Sequence, residues 1–308
     1  MSKKYMYFLN EEREKLSVLE KLVPALLIFF LLFITFVSNQ IIVKQNAVVA
    51  VEHDSDYLWP LQENFLAEQE IQRQKELEAM HKKRYAALTD EDFDKMEHIY
   101  SHQDEKQVFL TFDDGPTSNI TPQVLDILKR YNVKATFFVL GKQVERNPDL
   151  IRREFNEGHS IESHTYSHTY KAVYTSKDTF FDEFYRTQTN LQNCLGNEEF
   201  KTLVVRMPGG TVGGPYHSIK KEISGELRGK GIASLDWNCL TKDAEGAVTE
   251  EAIMNNVYTY TGNKTSVVLL MHDADTKQIT PDTLPKVIEY YRDNGYKFVT
   301  VEEYLGRT

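Results

Sequence analysis

Seven short apolar segments, separated by helix-like stretches, occupy the sequence from residue 106 onward. They are VFLTF (108–112), ATFFVL (135–140), HSIES (159–163), TLVVR (202–206), IASLD (232–236), SVVLLM (266–271) and KFVT (297–300). Between the first two, TPQVLDILKRY begins with Thr121 as a predicted N-cap and Pro122 at the first helical position. The alternation predicts an α/β fold in which about seven parallel strands form a sheet, open or closed into a barrel. In such folds, functional residues collect at the carboxyl ends of the strands.

Five of the seven predicted strands end in charged or metal-binding side chains. The first ends in Asp113 and Asp114, the third in His164 followed by His168, the fourth in Arg206, the fifth in Asp236 and Trp237, and the sixth in His272 and Asp273. One such residue alone would be weak evidence. Because parallel strands share one carboxyl edge, we expect these side chains to lie together, and their coincidence indicates a catalytic site.

The two histidines and the adjacent acids predict a metal site. His164 and His168 are four residues apart, so on a helical turn both imidazoles would face the same way and could bind one ion. A carboxylate would complete a site with two histidines and one acid, which leaves positions for water and substrate. One acid would bind the metal and the other would deprotonate water, but these residues alone do not decide which. The alternative is a pair of surface or capping histidines.

The remaining strand ends supply groups for acid–base chemistry. Arg206 could hold the free acid ionised, or it could form a simple structural salt bridge. His272 can be protonated near neutral pH, and Asp236 could orient it or could instead cap a helix. Trp237 could fill the core or form a wall for a sugar ring. Metal, water, base and acid together predict hydrolysis of an ester or an amide.

The ordered motifs TFDDGP, HTYSH, RMPGG, LDWN and LLMHD resemble those of the polysaccharide deacetylases of carbohydrate esterase family four, the NodB-homology domain. They lie in order within residues 106–304. The resemblance implies a distorted (β/α) barrel that removes N-acetyl groups from amino-sugar polymers with the help of Zn²⁺ or another divalent metal such as Co²⁺. It also implies a cell-wall glycan as the substrate.

The resemblance assigns a role to each motif residue. Asp113 would be the base, Asp114, His164 and His168 the metal ligands, Arg206 the residue that tunes Asp113, His272 the acid and Asp236 its partner. At the fourth strand RMPGG replaces the R-P-P-Y of many members, so an aromatic substrate contact is lost, and Tyr166 or Tyr216 could replace it. Gly209 can still offer its backbone N–H to an oxyanion. The PGG form and the following DWN resemble the branch of Gram-positive peptidoglycan N-acetylglucosamine deacetylases.

The N-terminal region predicts a membrane anchor. The uncharged run LVPALLIFFLLFITFV (22–37) is near the lower length limit for a membrane span, and it has no polar face such as a core helix would have. Lys3, Lys4, Arg13, Lys15 and Lys21 precede it, and only Lys44 follows before residue 70. This asymmetry predicts a cytoplasmic segment at 1–21, a single span at 22–38 and an extracellular remainder. The alternative is a cleaved signal peptide that releases a secreted enzyme.

A solvated stalk is expected between the anchor and the catalytic domain. Residues 61–100 lack glycine, carry many charges of both signs and have only a sparse apolar stripe, which predicts a helical stalk within 39–105. The catalytic domain would then occupy 106–304. A formal net charge of -10 argues against nucleic acid as a partner, and nothing indicates an obligate protein partner. Cys194 and Cys239 could form one disulfide or remain two free thiols.

Overall fold

The computed structural model describes residues 55–308, which fall into two compact units divided after Lys75. The described part of the first unit belongs to helix α1 (Ser55–Arg84), and its residues 64–75 are exposed, as expected for a solvated helix. The predicted cytoplasmic segment at 1–21 and the predicted anchor at 22–38 lie outside the described residues. Within residues 55–308, no helix combines the length and apolar character needed to cross a bilayer.

The second unit, Glu76–Thr308, alternates strands and helices along the chain. Its strands are β1 (Gln107–Asp113), β2 (Thr136–Val139), β3 (Ser160–Ser163), β4 (Val204–Val205), β5 (Ala233–Ser234), β6 (Cys239–Leu240), β7 (Ser266–His272) and β8 (Lys297–Phe298). Its further helices are α2 (Asp90–Glu97), α3 (Thr121–Tyr131), α4 (Gly141–Arg146), α5 (Pro148–Asn156), α6 (Tyr170–Val173), α7 (Lys177–Leu195), α8 (His217–Gly229), α9 (Glu250–Thr261), α10 (Ile279–Asp293) and α11 (Val301–Tyr304). All seven predicted strands are present. The structure contains one further strand, β6, which the sequence does not predict because its two residues are too few to form a recognisable apolar pattern.

The strands form one parallel sheet in the order β5-β4-β3-β2-β1-β7-β6, and β8 pairs with the start of β1. The outermost strands β5 and β6 do not pair with each other within the described part of the chain. The sheet is therefore a curled half-barrel, which decides between the open and closed alternatives. This α/β architecture agrees with the distorted barrel that the family resemblance implies.

Side chains alternate between two cores along each long strand. On β1, Val108, Leu110 and Phe112 lie in the outer core, which helices including α3 and α10 cover. Phe109 points to the opposite face and lies in an inner core within the curve of the sheet. This period of two is the geometry of a pleated strand that is buried on both faces.

Residues 88–99, hereafter the inner segment, fill the concave side of the half-barrel. Leu88, Phe93, Met96 and Ile99 are all buried and pack in the inner core with Phe109. The prediction of a stalk that extends to residue 105 is therefore wrong for this segment. Its few apolar residues are enough to bury one helical face, and each contributes about 1.5–3 kcal/mol.

The N-terminal end of the inner segment is fixed by polar contacts. Thr89 caps α2 through a reciprocal capping box with Asp92. The Asp92 carboxylate also accepts a hydrogen bond from the buried guanidinium of Arg307 at 2.5 Å. Arg84 donates to Glu302 at 2.8 Å. These contacts join the start of the second unit to its C-terminal residues.

Both cysteines are free thiols, which resolves the alternative left open by the sequence. The Cys239 thiol is buried on β6, and Cys194 is half-buried near the end of α7. Burial raises the pKa of both thiols.

Candidate active site

The carboxyl ends of four strands meet at one edge of the half-barrel and carry the predicted site residues. Asp113 ends β1 and lies opposite His272, which ends β7, in the parallel register. His164 follows β3, and Arg206 follows β4. The backbone N–H of Arg206 donates to the carbonyl of Ser163 at 3.0 Å, so the two loops leave the sheet side by side. The predicted clustering is confirmed for these residues.

The loop after β1 is packed against a buried carboxyl group. Asp114 has a φ of 78°, a left-handed conformation that aspartate tolerates. A Cβ on Gly115 would lie 2.0 Å from the Oδ2 of Asp273, so only glycine fits there. Thr121 is not the helix N-cap that the sequence predicts. Its hydroxyl instead accepts the Thr117 N–H at 2.7 Å and donates to Asp273 at 2.5 Å, which ties the loop to β7.

Asp113 and Arg206 form a buried ion pair. Asp113 is 3% exposed and Arg206 is fully buried, and Nη1 donates to Oδ1 at 2.8 Å. Arg206 also donates to Thr111 Oγ1 and to the carbonyls of Leu235 and Asp236, so its guanidinium is held rigidly. Burial raises the pKa of Asp113, while the charge and hydrogen bond of Arg206 oppose that rise. The predicted pairing is confirmed.

Asp114, His164 and His168, hereafter the metal triad, bring together three ligand atoms. These atoms all lie within 4.8 Å of one another. The Asp114 Oδ1 is 3.8 Å from His164 Nε2 and 3.5 Å from His168 Nε2. The histidines lie on a loop after β3 rather than on the helical turn considered in the sequence, and the loop still places their ring centroids 5.0 Å apart.

The triad has the chemistry of a divalent metal site. Asp114 Oδ1 is buried and has no hydrogen-bond partner in the described part of the chain. His164 Nδ1 donates to the carbonyl of Arg206 at 2.6 Å, which leaves the Nε2 lone pair pointing to the triad. Burial lowers the pKa of His164 to about 3, so the imidazole is neutral, the form that binds metal. These residues therefore fit a divalent cation bound by nitrogen and oxygen ligands.

The loop that carries both histidines is held by an acid on α7. Thr165 and His168 have φ values of 66° and 59°, which are uncommon for residues other than glycine. The Glu183 carboxylate accepts the backbone N–H groups of Tyr166 at 3.2 Å and Ser167 at 3.0 Å, together with the Ser167 hydroxyl. These hydrogen bonds stabilise the turn that brings the two histidines together.

The partner of His272 is Asp243, and the prediction of Asp236 in this place is wrong. The His272 Nδ1 donates to Asp243 Oδ1 at 2.8 Å, and the His272 N–H donates to Oδ2 at 2.8 Å. The hydroxyl of Thr280 also donates to Oδ2 at 2.8 Å. Burial alone would lower the pKa of His272, but the hydrogen bond and charge of Asp243 raise it to about 9, with help from Asp113.

Asp236 contacts Thr211, which lies in the glycine-containing loop after β4, and not His272. Its carboxylate accepts the N–H of Thr211 at 2.9 Å and the Thr211 hydroxyl at 2.5 Å. Trp237 packs at the edge of the inner core and also lines a cavity of about 680 Å³ together with Phe93 and Tyr100. Its position agrees with a core residue, and its role as a wall for a sugar ring stays a prediction.

Of the two other residues predicted to bind substrate, Gly209 lies beside the metal triad and Tyr166 does not. Gly209 is exposed beside the triad with a φ of 72°, and its N–H donates to no atom among residues 55–308. Tyr166 belongs to a surface cluster instead. Its hydroxyl donates to Glu145 at 2.9 Å, and the Arg186 guanidinium lies 3.6 Å from its ring centroid. The aromatic side chain closest to Gly209 is that of Tyr170, which the sequence did not indicate.

Asp243 could have been found from one signal in the sequence. It follows the short strand β6 by three residues, so the rule that placed the other site residues applies to it as well. Because β6 spans only Cys239–Leu240, its apolar pattern is too short to recognise. The sequence therefore indicates Asp236, which lies at the end of a recognisable strand, in its place.

This fold and this site define a class of protein. The chain belongs to the polysaccharide deacetylase family, whose sequence profile, described as "Polysaccharide deacetylase", matches residues 100–224. A chitin deacetylase from Colletotrichum lindemuthianum is 34% identical over 209 residues, which cover 65% of this chain and 79% of that protein.

Two further similarities are with bacterial proteins. The peptidoglycan-N-acetylglucosamine deacetylase PgdA of Listeria monocytogenes is 33% identical over 216 residues, 69% of this chain and 41% of that protein. The chain thus spans less than half the length of this relative. Among solved structures, a carbohydrate esterase family four (CE4) esterase from Streptococcus mutans superposes with a TM-score of 0.60 at 34% identity, and the match covers 70% of this chain and 91% of that chain.

Proposed function

We propose that this protein is a metal-dependent N-deacetylase that acts on N-acetylglucosamine residues of a cell-wall polysaccharide, and that this polysaccharide is peptidoglycan. One observation carries the proposal: two supported acid–base groups, Asp113 with Arg206 and His272 with Asp243, flank the metal triad. The printed activities of the Listeria and Colletotrichum relatives support an N-acetylated glycan as the substrate.

In this mechanism Asp113 is the proton acceptor. Its Oδ1 is occupied by Arg206, whereas its Oδ2 faces the triad, 3.7 Å from His164 Nε2. Oδ2 is thus the oxygen that removes a proton from the attacking water. The raised pKa makes the carboxylate a stronger base, and Arg206 stabilises its ionised form at neutral pH.

Asp114, His164 and His168 would hold the divalent metal, and we propose Zn²⁺, with Co²⁺ as an alternative, because two histidines and one carboxylate suit these ions. When bound, such an ion supplies Lewis-acid polarisation of a carbonyl and lowers the pKa of water. The exposed N–H of Gly209 is free to donate to the oxyanion that develops on the acetamide oxygen.

His272 is the proton donor. Its Nδ1 proton is held by Asp243, so Nε2 exchanges the proton with substrate. With a pKa of about 9 the imidazole is protonated at neutral pH and can protonate the glucosamine nitrogen as the C–N bond breaks. The products are acetate and a free amine on the sugar.

We further propose that residues 22–38 anchor the protein in the cell membrane with the catalytic unit outside, where peptidoglycan is found. The uncharged run and the excess of basic residues before it support this orientation. Cleavage of the run and secretion is the alternative. Fractionation of cells that carry a C-terminal epitope, with protease added outside, distinguishes membrane-bound from released protein.

The activity is tested by incubating the full chain, purified in mild detergent, with peptidoglycan or chitotetraose and then measuring acetate. We expect release that disappears with a chelator and returns with Zn²⁺ or Co²⁺. Muropeptide masses should show the loss of one acetyl group on glucosamine. Acetate from chitotetraose but not from peptidoglycan would instead favour a chitin-like substrate.

A non-catalytic glycan-binding scaffold is the remaining alternative class. The Asp113→Asn substitution keeps the size of the side chain but removes the base. We expect acetate release to vanish while binding of chitotetraose persists. Binding by the wild-type chain without any acetate release, under every divalent metal tried, would favour the scaffold.

A further inference from the structure

Gly209 leaves a space beside the metal triad that another residue fills. A Cβ built on Gly209 would lie 2.7 Å from the Oη of Tyr170 and 2.9 Å from its Cε1. Both distances are shorter than van der Waals contact. The Tyr170 ring therefore occupies the volume that a side chain at position 209 would need, so the sequence at 209 and the position of Tyr170 depend on each other.

Tyr170 also contacts the metal triad. Its ring packs edge-to-face on the imidazole of His168, with centroids 5.6 Å apart and an interplanar angle of 88°. The side chain thus lies between Gly209 and a proposed metal ligand.

The ring is fixed by its neighbours before any substrate arrives. Tyr170 begins α6 and packs on Tyr174, with centroids 6.1 Å apart, and on Tyr216, with centroids 6.4 Å apart. Tyr174 is itself anchored, because its hydroxyl donates to the carbonyl of Pro208 at 2.8 Å. A ring held in this way loses little conformational entropy when it binds a ligand.

The loop opposite the ring is fixed as well. The Lys220 ammonium donates to the carbonyl of Gly210 at 2.7 Å and to that of Gly209 at 3.3 Å. The distance between Gly209 and the Tyr170 ring is therefore fixed, because both α6 and the loop after β4 are anchored.

Tyr170 is partly exposed, and its hydroxyl is unengaged. The residue is 39% exposed, and its Oη makes no hydrogen bond to any residue that the structure describes. Tyr166 and Tyr174, by contrast, donate to Glu145 and Pro208. An unengaged donor on a rigid, partly exposed ring beside the metal triad is suited to bind a polar ligand.

We propose that Tyr170 is a substrate-binding residue that replaces the missing side chain at position 209. Its ring packs on the apolar face of the N-acetylglucosamine that is deacetylated, and its Oη donates a hydrogen bond to an oxygen of that sugar. The inference rests on the proposed function, because it assumes an amino-sugar at this site. The contact is made equally in the ground state and the transition state, so it affects binding rather than the chemical step.

The test compares Tyr170→Phe, which removes only the hydroxyl, with wild type in the full-length holoenzyme. We expect KM for chitotetraose to rise about three- to tenfold, the effect of one lost neutral hydrogen bond, with kcat unchanged within about twofold. Tyr170→Ala should raise KM further because it also removes the ring. Tyr258→Phe, at a 48% exposed tyrosine on α9, is the matched control and should leave both constants unchanged.

A binding titration separates this inference from the proposed function. Chitotetraose is titrated calorimetrically into the Asp113→Asn chain with and without Tyr170→Phe, and we expect Kd to rise by the same factor as KM. Equal Kd values, no binding by the Asp113→Asn chain, or a loss confined to kcat would each overturn the inference. If wild type released no acetate, the proposed function would fail, and the titration alone would decide the role of Tyr170. A thermal melt confirms that each variant is folded.

Discussion

The carboxylate of Asp243 accepts both the backbone N–H and the imidazole Nδ1–H of His272, each at 2.8 Å. This bidentate contact fixes the ring orientation and the tautomer together, because the same acid binds the strand end and the side chain. Thr280 donates to the second carboxylate oxygen and holds the acid in place. His272 is thus a preorganised proton donor. The residue that orients it, Asp243, lies on the loop after the neighbouring strand β6.

The first prediction separates Asp243 from Asp236. Replacing Asp243 by Asn removes the charge that stabilises the imidazolium, so we expect kcat to fall about 100-fold or more, within the range of general acid catalysis. Asp236→Asn is the matched control, because its carboxylate contacts Thr211 and not His272, and it should retain activity within a few fold. Equal losses in both variants, measured by acetate release, would contradict this division of roles.

The second prediction concerns pH. His272 has its pKa raised to about 9, so its protonated form is lost as pH rises through that value, and the rate should fall on the alkaline side. Asp113 must be ionised, and burial raises its pKa, so the rate should fall at low pH, beginning above the usual range of an aspartate. The profile of kcat/KM should therefore be bell-shaped.

The alkaline limb of this profile can be tested with the Asp243→Asn variant. Without the carboxylate, the His272 pKa should fall, and the limb should move to lower pH. An unmoved limb would mean that another group titrates there.

The third prediction addresses the loop that carries His164 and His168. Glu183→Ala removes the acceptor for two backbone N–H groups in that loop, so we expect the affinity for Zn²⁺ to fall about 10- to 100-fold, as is typical when outer-shell partners of ligands are lost. Isothermal titration of the metal-free full chain measures this directly, without turnover. Glu289→Ala, an exposed acid bonded to Tyr131, serves as the control and should bind metal as wild type does.

The fourth prediction concerns the inner segment. Phe93 is buried in the inner core, so Phe93→Ala should lower the free energy of unfolding by about 3–5 kcal/mol. Phe65→Ala changes the same residue type at a 58% exposed position of α1 and should cost less than about 0.5 kcal/mol. Urea unfolding of the two full-length variants provides the comparison, and similar midpoints would show that the inner segment is not part of the folded unit.

The packing of the inner segment also limits where a shortened chain can begin. A chain that starts at Glu76 keeps the inner segment, whereas one that starts at residue 104 exposes the concave face of the sheet. We expect the shorter chain to melt at a much lower temperature or to aggregate.

The sequence predicts the strands and the clustering of charged residues at their ends because both depend on local regularities. Apolar runs reveal buried strands, and the position of a residue at a strand end is set by the chain itself. Asp113, Asp114, His164 and Arg206 were therefore placed correctly without any knowledge of loop structure.

The errors concern residues whose positions depend on loops or on distant packing. Tyr166 lies on the loop after β3 and Tyr170 at the start of α6, and the sequence does not show which of the two rings lies against Gly209. The inner segment resembles a solvated helix because many of its partners, such as Val268 and Val299, lie more than a hundred residues further along the chain. Such contacts have no signature in a local window of sequence.

The packing of the inner segment limits how early during synthesis the protein can finish folding. It packs against Val299 and Val301 near the C-terminus, and Asp92 binds Arg307, 215 positions further along the chain. During synthesis the inner segment therefore has no complete binding surface until these last residues have left the ribosome. The inner core is therefore completed only late in translation, after most of the sheet has been synthesised.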